Sequence, residues 1–147
     1  MYTTQQSTHH LPQVPTFFAP SSSPTAPLDL ETQAAHALHL ARSGIRGLVI
    51  FGSTGEAVHI TSAERKQVLS HVRQELEKAG FKDYPIIAGT ATQSIDETVD
   101  QLKEAEEAGA QWGLCLVPGY FASAVGQEGL VGWFHAVADA SPIPVMV

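Results

Sequence analysis

The chain has 147 residues, 44% hydrophobic and 16% charged, which is the size and balance of one globular domain. Eight Lys and Arg against 15 Asp and Glu leave a formal charge of −7, so the basic surface that nucleic acid requires is missing. No apolar run approaches the roughly 18 residues of a membrane helix, and the single Cys115 excludes an intrachain disulfide and any multi-Cys zinc site, which fits a reducing compartment.

Residues 1–12 are polar, lack the apolar stretch of a secretory signal and read as a flexible N-terminal arm. The absence of acidic residues before Asp29 and the abundance of Ser and Thr resemble an organellar transit peptide. No Arg precedes Arg42, however, so the expected compartment is the cytoplasm, with a mitochondrial address as the alternative.

From Gln13 onward, short apolar runs alternate with longer amphipathic segments. Strands are expected at Gln13–Phe18, Gly47–Phe51, Pro85–Ala88, Gly113–Val117 and Pro144–Val147. Their nearly continuous apolar character predicts burial on both faces. Four helices are expected between them. Asp29 caps Leu30–Arg42, with Ala34, Leu38 and Ala41 inward and Gly44 as the stop. Thr61-Ser62-Ala63-Glu64 forms a capping box for a helix that turns Val68, Leu69, Val72 and Leu76 inward and ends at Gly80. Ser94-Ile95-Asp96-Glu97 is the same box for a helix with Val99, Leu102 and Ala105 inward, stopping at Gly109. The fourth, Gln127–Ala140, turns Leu130, Phe134 and Val137 to one side, and its Gly129 and Gly132 weaken it.

Helices alternating with buried strands imply a parallel sheet with right-handed crossovers. The helix-ending glycines Gly44, Gly80 and Gly109 recur at 36 and 29 residues, close to the ~31-residue unit of a (β/α)₈ barrel. A doubly wound, flavodoxin-like sheet has similar element counts, and periodicity leaves both open. In either architecture ligands bind at the carboxyl ends of the strands, so the loops after each strand are the places for chemistry.

After the second strand, Gly52-Ser53-Thr54-Gly55-Glu56 combines two glycines with two hydroxyl donors, which suits a small carboxylate or phosphate. The same residues also serve an ordinary sharp turn. The adjacent Gly89-Thr90-Ala91-Thr92-Gln93-Ser94 loop is again small and rich in hydroxyls. After the fourth strand, Val117-Pro118-Gly119-Tyr120-Phe121 presents a phenol suited to moving a proton or stacking at an interface; Phe121 reads as packing.

The segments GLVIFGSTGEAVHITSAER (Gly47–Arg65), PIIAGT (Pro85–Thr90), VPGYF (Val117–Phe121) and QEGL (Gln127–Leu130), in that order, resemble the dihydrodipicolinate synthase / N-acetylneuraminate lyase family of Schiff-base aldolases. Among its members they are most similar to fungal proteins of the 4-hydroxy-2-oxoglutarate aldolase type. The resemblance implies the N-terminal portion of a (β/α)₈ TIM barrel, with about five strands and four helices. At ~31 residues per unit, the chain holds roughly 4.7 of eight units, so 13–147 is expected to be a partial barrel ending at strand five.

The resemblance also implies that pyruvate or another 2-oxo acid forms an imine with a barrel lysine, with no cofactor. Its carboxylate would rest on Ser53 and Thr54, and Ser53 would also join a proton relay between two tyrosines. Tyr120 matches the family tyrosine that reaches across a dimer interface, although Gly119 stands where many members have a second Tyr. The YNxP-like tyrosine after strand five and the lysine of strand six would lie beyond Val147. The chain alone is therefore expected to be inactive, and the full-length protein to be a dimer or tetramer. The alternative is a catalytically incomplete fragment that binds small carboxylates or associates with a full-length relative.

The remaining candidates read as structural. Lys66, Lys78, Lys82 and Lys103 lie on helices or their ends as surface charges. His36 and His39 share a helix without a third ligand, so no metal site is expected. His59 stands at the start of the second helix, with a place near the pocket mouth as the lesser reading; Cys115 lies in a buried strand, and Glu56 fixes its loop. Trp112 and Trp133 pack.

Overall fold

A computed structural model describes residues 11–22 and 25–147. In chain order the elements are α1 (Leu30–Arg42), β1 (Leu48–Ile50), α2 (Ser62–Lys78), β2 (Ile86–Thr90), α3 (Ile95–Glu107), β3 (Trp112–Cys115), α4 (Ala122–Ala140) and β4 (Val145–Met146), with 3₁₀ turns at Ser53–Gly55 and Ala57–His59. The strands form one parallel sheet in the order β1-β2-β3-β4, each neighbouring pair joined through a helix.

The helices begin and end for local chemical reasons. Thr32 donates from its amide and its hydroxyl to the Asp29 carboxylate, at 2.9 and 2.7 Å, which caps α1. At α2 the box is reciprocal: the Glu64 amide donates to Thr61 Oγ1, and the Thr61 amide donates to the Glu64 carboxylate. At α3 only half of the expected box forms, with Ser94 Oγ accepting from the Glu97 amide. Just past α1, α2 and α3 stand Gly44, Gly80 and Gly109 with φ of 88°, 90° and 92°, the left-handed stop that a side chain resists.

The register puts alternate residues on opposite faces. Leu48, Ile50, Ile86 and Ala88 join α2 residues Val68, Leu69, Val72 and Leu76 in the core, each at most 1% exposed; burying such an aliphatic side chain contributes about 1.5–3 kcal/mol. Gly113 allows β3 to meet α3, since a β-carbon there would lie 2.2 Å from Leu102 Cδ2. On the opposite face Ile87 pairs with Trp112, and both line a cavity of about 330 Å³ with Leu11, Arg46, Pro85 and Met146.

Several expectations require correction. The strand at Gln13–Phe18 is reduced to a single parallel bridge between Gln13 and Val49, plus an antiparallel bridge between Phe18 and Leu28. Pro12 and Pro15 have no N–H to donate to a ladder. The segment is instead held by Val14 N to Val49 O, by Val49 N to Pro12 O, and by buried Gln33, whose amide group donates to Pro15 O and accepts from Phe17 N. The strand expected at Gly113–Val117 stops at Cys115, and Val117 is exposed.

Burial on both faces holds for β1 and β2, but β3 alternates and β4, at the sheet edge, is half-buried. β2 runs on through Gly89 and Thr90, which sequence reading places in the loop. The fourth helix starts earlier than expected, at Ala122, and breaks at Gly126 (φ 70°, ψ 172°), so the regular run is the one beginning at Gln127. Residues 1–10 of the expected arm lie outside the described residues.

Candidate functional site

Three loops converge at the carboxyl ends of β1, β2 and β3. At the first, the chain turns sharply because Phe51 (φ 64°) and Glu56 (φ 55°) both adopt the left-handed conformation. For a bulky aromatic such as Phe51 this is a strained position of the kind that persists where the surroundings enforce it. Between these two residues, Gly55 N donates to Gly52 O (3.0 Å) and Glu56 N to Ser53 O (3.2 Å). The buried Thr16 hydroxyl clamps the turn from behind by donating to Gly55 O at 2.7 Å. The Ser53 and Thr54 side chains face solvent, and neither hydroxyl is bonded to another of the described residues. Glu56 is exposed beside them.

The β2–α3 loop is braced internally. Thr92 and Thr98 share a 2.6 Å hydroxyl contact, and Thr98 donates to Ser94 O. Gln93 ties this loop to the next one: its side-chain oxygen accepts from Tyr120 N at 2.9 Å, and its carbonyl accepts from Trp133 Nε1 at 3.2 Å. Tyr120 is thus fixed by its backbone while its ring is 81% exposed, edge-on to the 65% exposed Phe121 at a centroid distance of 4.7 Å. Phe121 does not pack as expected.

Beneath the first two loops lies a residue that sequence reading missed. Arg65 of α2 is 2% exposed, donates through Nη2 to Gly89 O, and sets its guanidinium 4.7 Å from the centroid of the Phe51 ring. Burial lowers its pKa to about 10 against the opposing influence of Glu104, so it stays charged at neutral pH. A signal existed: Arg65 lies three and four residues before Val68 and Leu69, on the stripe that packs into the core.

The other candidates sit elsewhere. His59 is exposed and lines a cavity with Phe18, Thr25, Ala26, Thr61 and Glu64, to which neither Ser53 nor Thr54 contributes. His36 packs edge-on against Phe17. Burial raises the pKa of the Cys115 thiol, partly offset by a hydrogen bond with Thr90, which leaves it a poor nucleophile. Lys66, Lys78 and Lys103 form exposed ion pairs with Glu107, Glu75 and Asp100. Among the described residues there is no group of three or more His, Cys, Asp or Glu suited to a metal ion, and no helix is long and apolar enough to cross a membrane.

Comparison with known proteins places this arrangement. Residues 14–147 match the model of the dihydrodipicolinate synthetase family. The chain belongs to that family. It is 47% identical over 133 residues to an L-threo-3-deoxy-hexylosonate aldolase of Aspergillus niger, an alignment covering 90% of this chain and 39% of that protein. It is 43% identical over 136 residues to a protein of Emericella nidulans named "Probable 4-hydroxy-2-oxoglutarate aldolase, mitochondrial", covering 91% of this chain and 43% of that one. Among solved structures, the family protein YagE of E. coli, crystallised with pyruvate, superposes with a TM-score of 0.78 at 29% identity, covering 92% of this chain and 42% of its own.

The chain therefore spans about two fifths of the length of the family members it matches. Its parallel sheet and helices are the N-terminal portion of the (β/α)₈ barrel, and the flavodoxin-like alternative falls away. The family is one of lyases and synthases.

Proposed function

We propose that the polypeptide carrying this sequence is a Schiff-base aldolase or synthase that makes or breaks a carbon–carbon bond next to a 2-oxo acid such as pyruvate. Ser53 and Thr54 hold the substrate carboxylate, and Ser53 and Tyr120 pass protons. The observation that carries this reading is the Ser53–Gly55 turn, whose two hydroxyls stand exposed at the carboxyl end of β1 and unpartnered among the described residues. A lysine amine adds to the ketone carbon and water leaves. As the carbon–carbon bond breaks, the hydroxyls take the proton from the substrate hydroxyl that becomes the aldehyde and the protonated imine accepts the electron pair as an enamine; the hydroxyls then return the proton to the enamine carbon, and water hydrolyses the imine to free the 2-oxo acid and the lysine.

The exposed and mostly ion-paired lysines of this chain do not suit that nucleophile; the family resemblance puts the imine lysine in the part of the barrel outside this chain. Borohydride reduction in the presence of pyruvate is expected to label the completed barrel at one lysine and to leave the 147-residue chain unlabelled. Labelling of this chain overturns the assignment of the nucleophile, and an unlabelled complete barrel overturns the imine.

A second reading, a fragment that binds small carboxylates or joins a full-length relative, is favoured by one feature. Tyr120 and Phe121 form a projecting aromatic pair of the kind that interfaces bury. In the complete protein the same pair would serve a dimer or tetramer. The cytoplasm remains our proposal for location, with mitochondria as the alternative.

A further inference from the structure

We infer that Arg65 is the buried positive charge that makes the Ser53–Thr54 loop select anions, acting as a positioning and specificity-determining residue without touching the substrate. The inference rests on the 2-oxo acid reading of that loop and adds to it the source of its charge preference.

The loop itself carries only neutral donors, next to the exposed Glu56, in a chain of net charge −7. Something must offset that field if a carboxylate is to bind. The other arginines stand elsewhere: Arg73 bonds to Gly109 O and Gln111, at the amino end of β3, Arg46 lines the cavity with Pro85 at the amino end of β2, and Arg42 closes α1. Lys66, next to Arg65 in sequence, is exposed and spent on Glu107.

Arg65 lies at the carboxyl end. It bonds to the carbonyl of Gly89, the next-to-last residue of β2, and it stacks on Phe51, two residues before Ser53. Glu104 of α3 opposes its charge from a distance without a hydrogen bond between them, and among the described residues Arg65 Nη1 and Glu104 Oε2 are both buried without a partner. A cation in a poorly screened interior acts over a longer distance than one in water. Its fork and stacking also hold Phe51 in the left-handed turn that aims the loop, so charge and positioning are separable by substitution.

The test is titration of the 147-residue chain with pyruvate and with its uncharged amide, pyruvamide, following the backbone amide resonances of Ser53 and Thr54. Wild type is expected to prefer pyruvate. Arg65→Met is expected to lose about tenfold of that preference. Arg65→Lys, which keeps the charge and loses the fork, is expected to bind both ligands more weakly with the preference within about twofold of wild type.

A merely structural role would weaken both ligands equally in Arg65→Met, and that result overturns the inference while the site reading stands. If Arg65→Met does not fold, a folded Arg65→Lys that has lost the preference overturns it as well. Wild type showing no response to pyruvate overturns the site reading, and the inference falls with it.

Discussion

Gly89 and Phe51 meet so closely that a β-carbon on residue 89 would lie 2.0 Å from the Phe51 carbonyl oxygen. The contact brings the ends of β1 and β2 together, because Phe51 turns with a φ of 64° and carries its carbonyl over the neighbouring strand. Gly89→Ala has no flexible side chain to displace, only backbone. It is expected to cost roughly 3 kcal/mol or more, read as a lowered urea midpoint, and an unchanged midpoint would contradict the close approach.

Ser53→Ala removes one exposed hydroxyl that no other described residue uses. In the completed barrel it should lower kcat by about 10²–10⁴, the range for a positioned proton-transfer group, with stability changed by less than ~0.5 kcal/mol. Unchanged turnover would remove Ser53 from the relay.

Gln93 controls how firmly Tyr120 is held. Gln93→Ala deletes the acceptor of the Tyr120 amide, and loss of one such bond is worth about 1 kcal/mol. Hydrogen exchange at the Tyr120 amide is expected to quicken by several-fold while the amides of β2 stay protected. An unaffected Tyr120 amide would mean that the loop is fixed by other contacts.

Thr61→Ala breaks the capping box of α2 and should destabilise the chain by about 1 kcal/mol. The Thr61 hydroxyl and amide, in that order, hold the Glu64 carboxyl below its usual range. A depressed folded pKa stabilises the fold above the unfolded value, and that contribution is lost as pH falls through the folded value. Wild-type stability should therefore drop below about pH 4.5, with a shallower drop in Thr61→Ala. Parallel profiles from pH 6 to 3 would contradict the reciprocal bonds.

Much of this was legible in the residues because the signals are local. Asp29, Thr61 and the three helix-ending glycines act within a few positions, and the order of helices and apolar runs dictated the parallel sheet. The first strand was not legible, because its prolines weaken a ladder while Gln33, 18 residues beyond Pro15, supplies the missing bonds from a helix. The burial of β4 failed for a related reason: its exposure depends on what lies beside it in space. At the site, the Gly52–Glu56 loop could be read from its composition. Its supports could not, since Thr16, Arg65 and Gln93 act across 39, 24 and 27 residues.

Whether the Ser53–Thr54 turn is a carboxylate site is decided by a wild-type titration with pyruvate followed on every backbone amide of the chain. Saturable shifts concentrated at Ser53, Thr54 and Gly55 are expected at concentrations up to roughly 10 mM. Shifts confined to other regions, or none in that range, would contradict it.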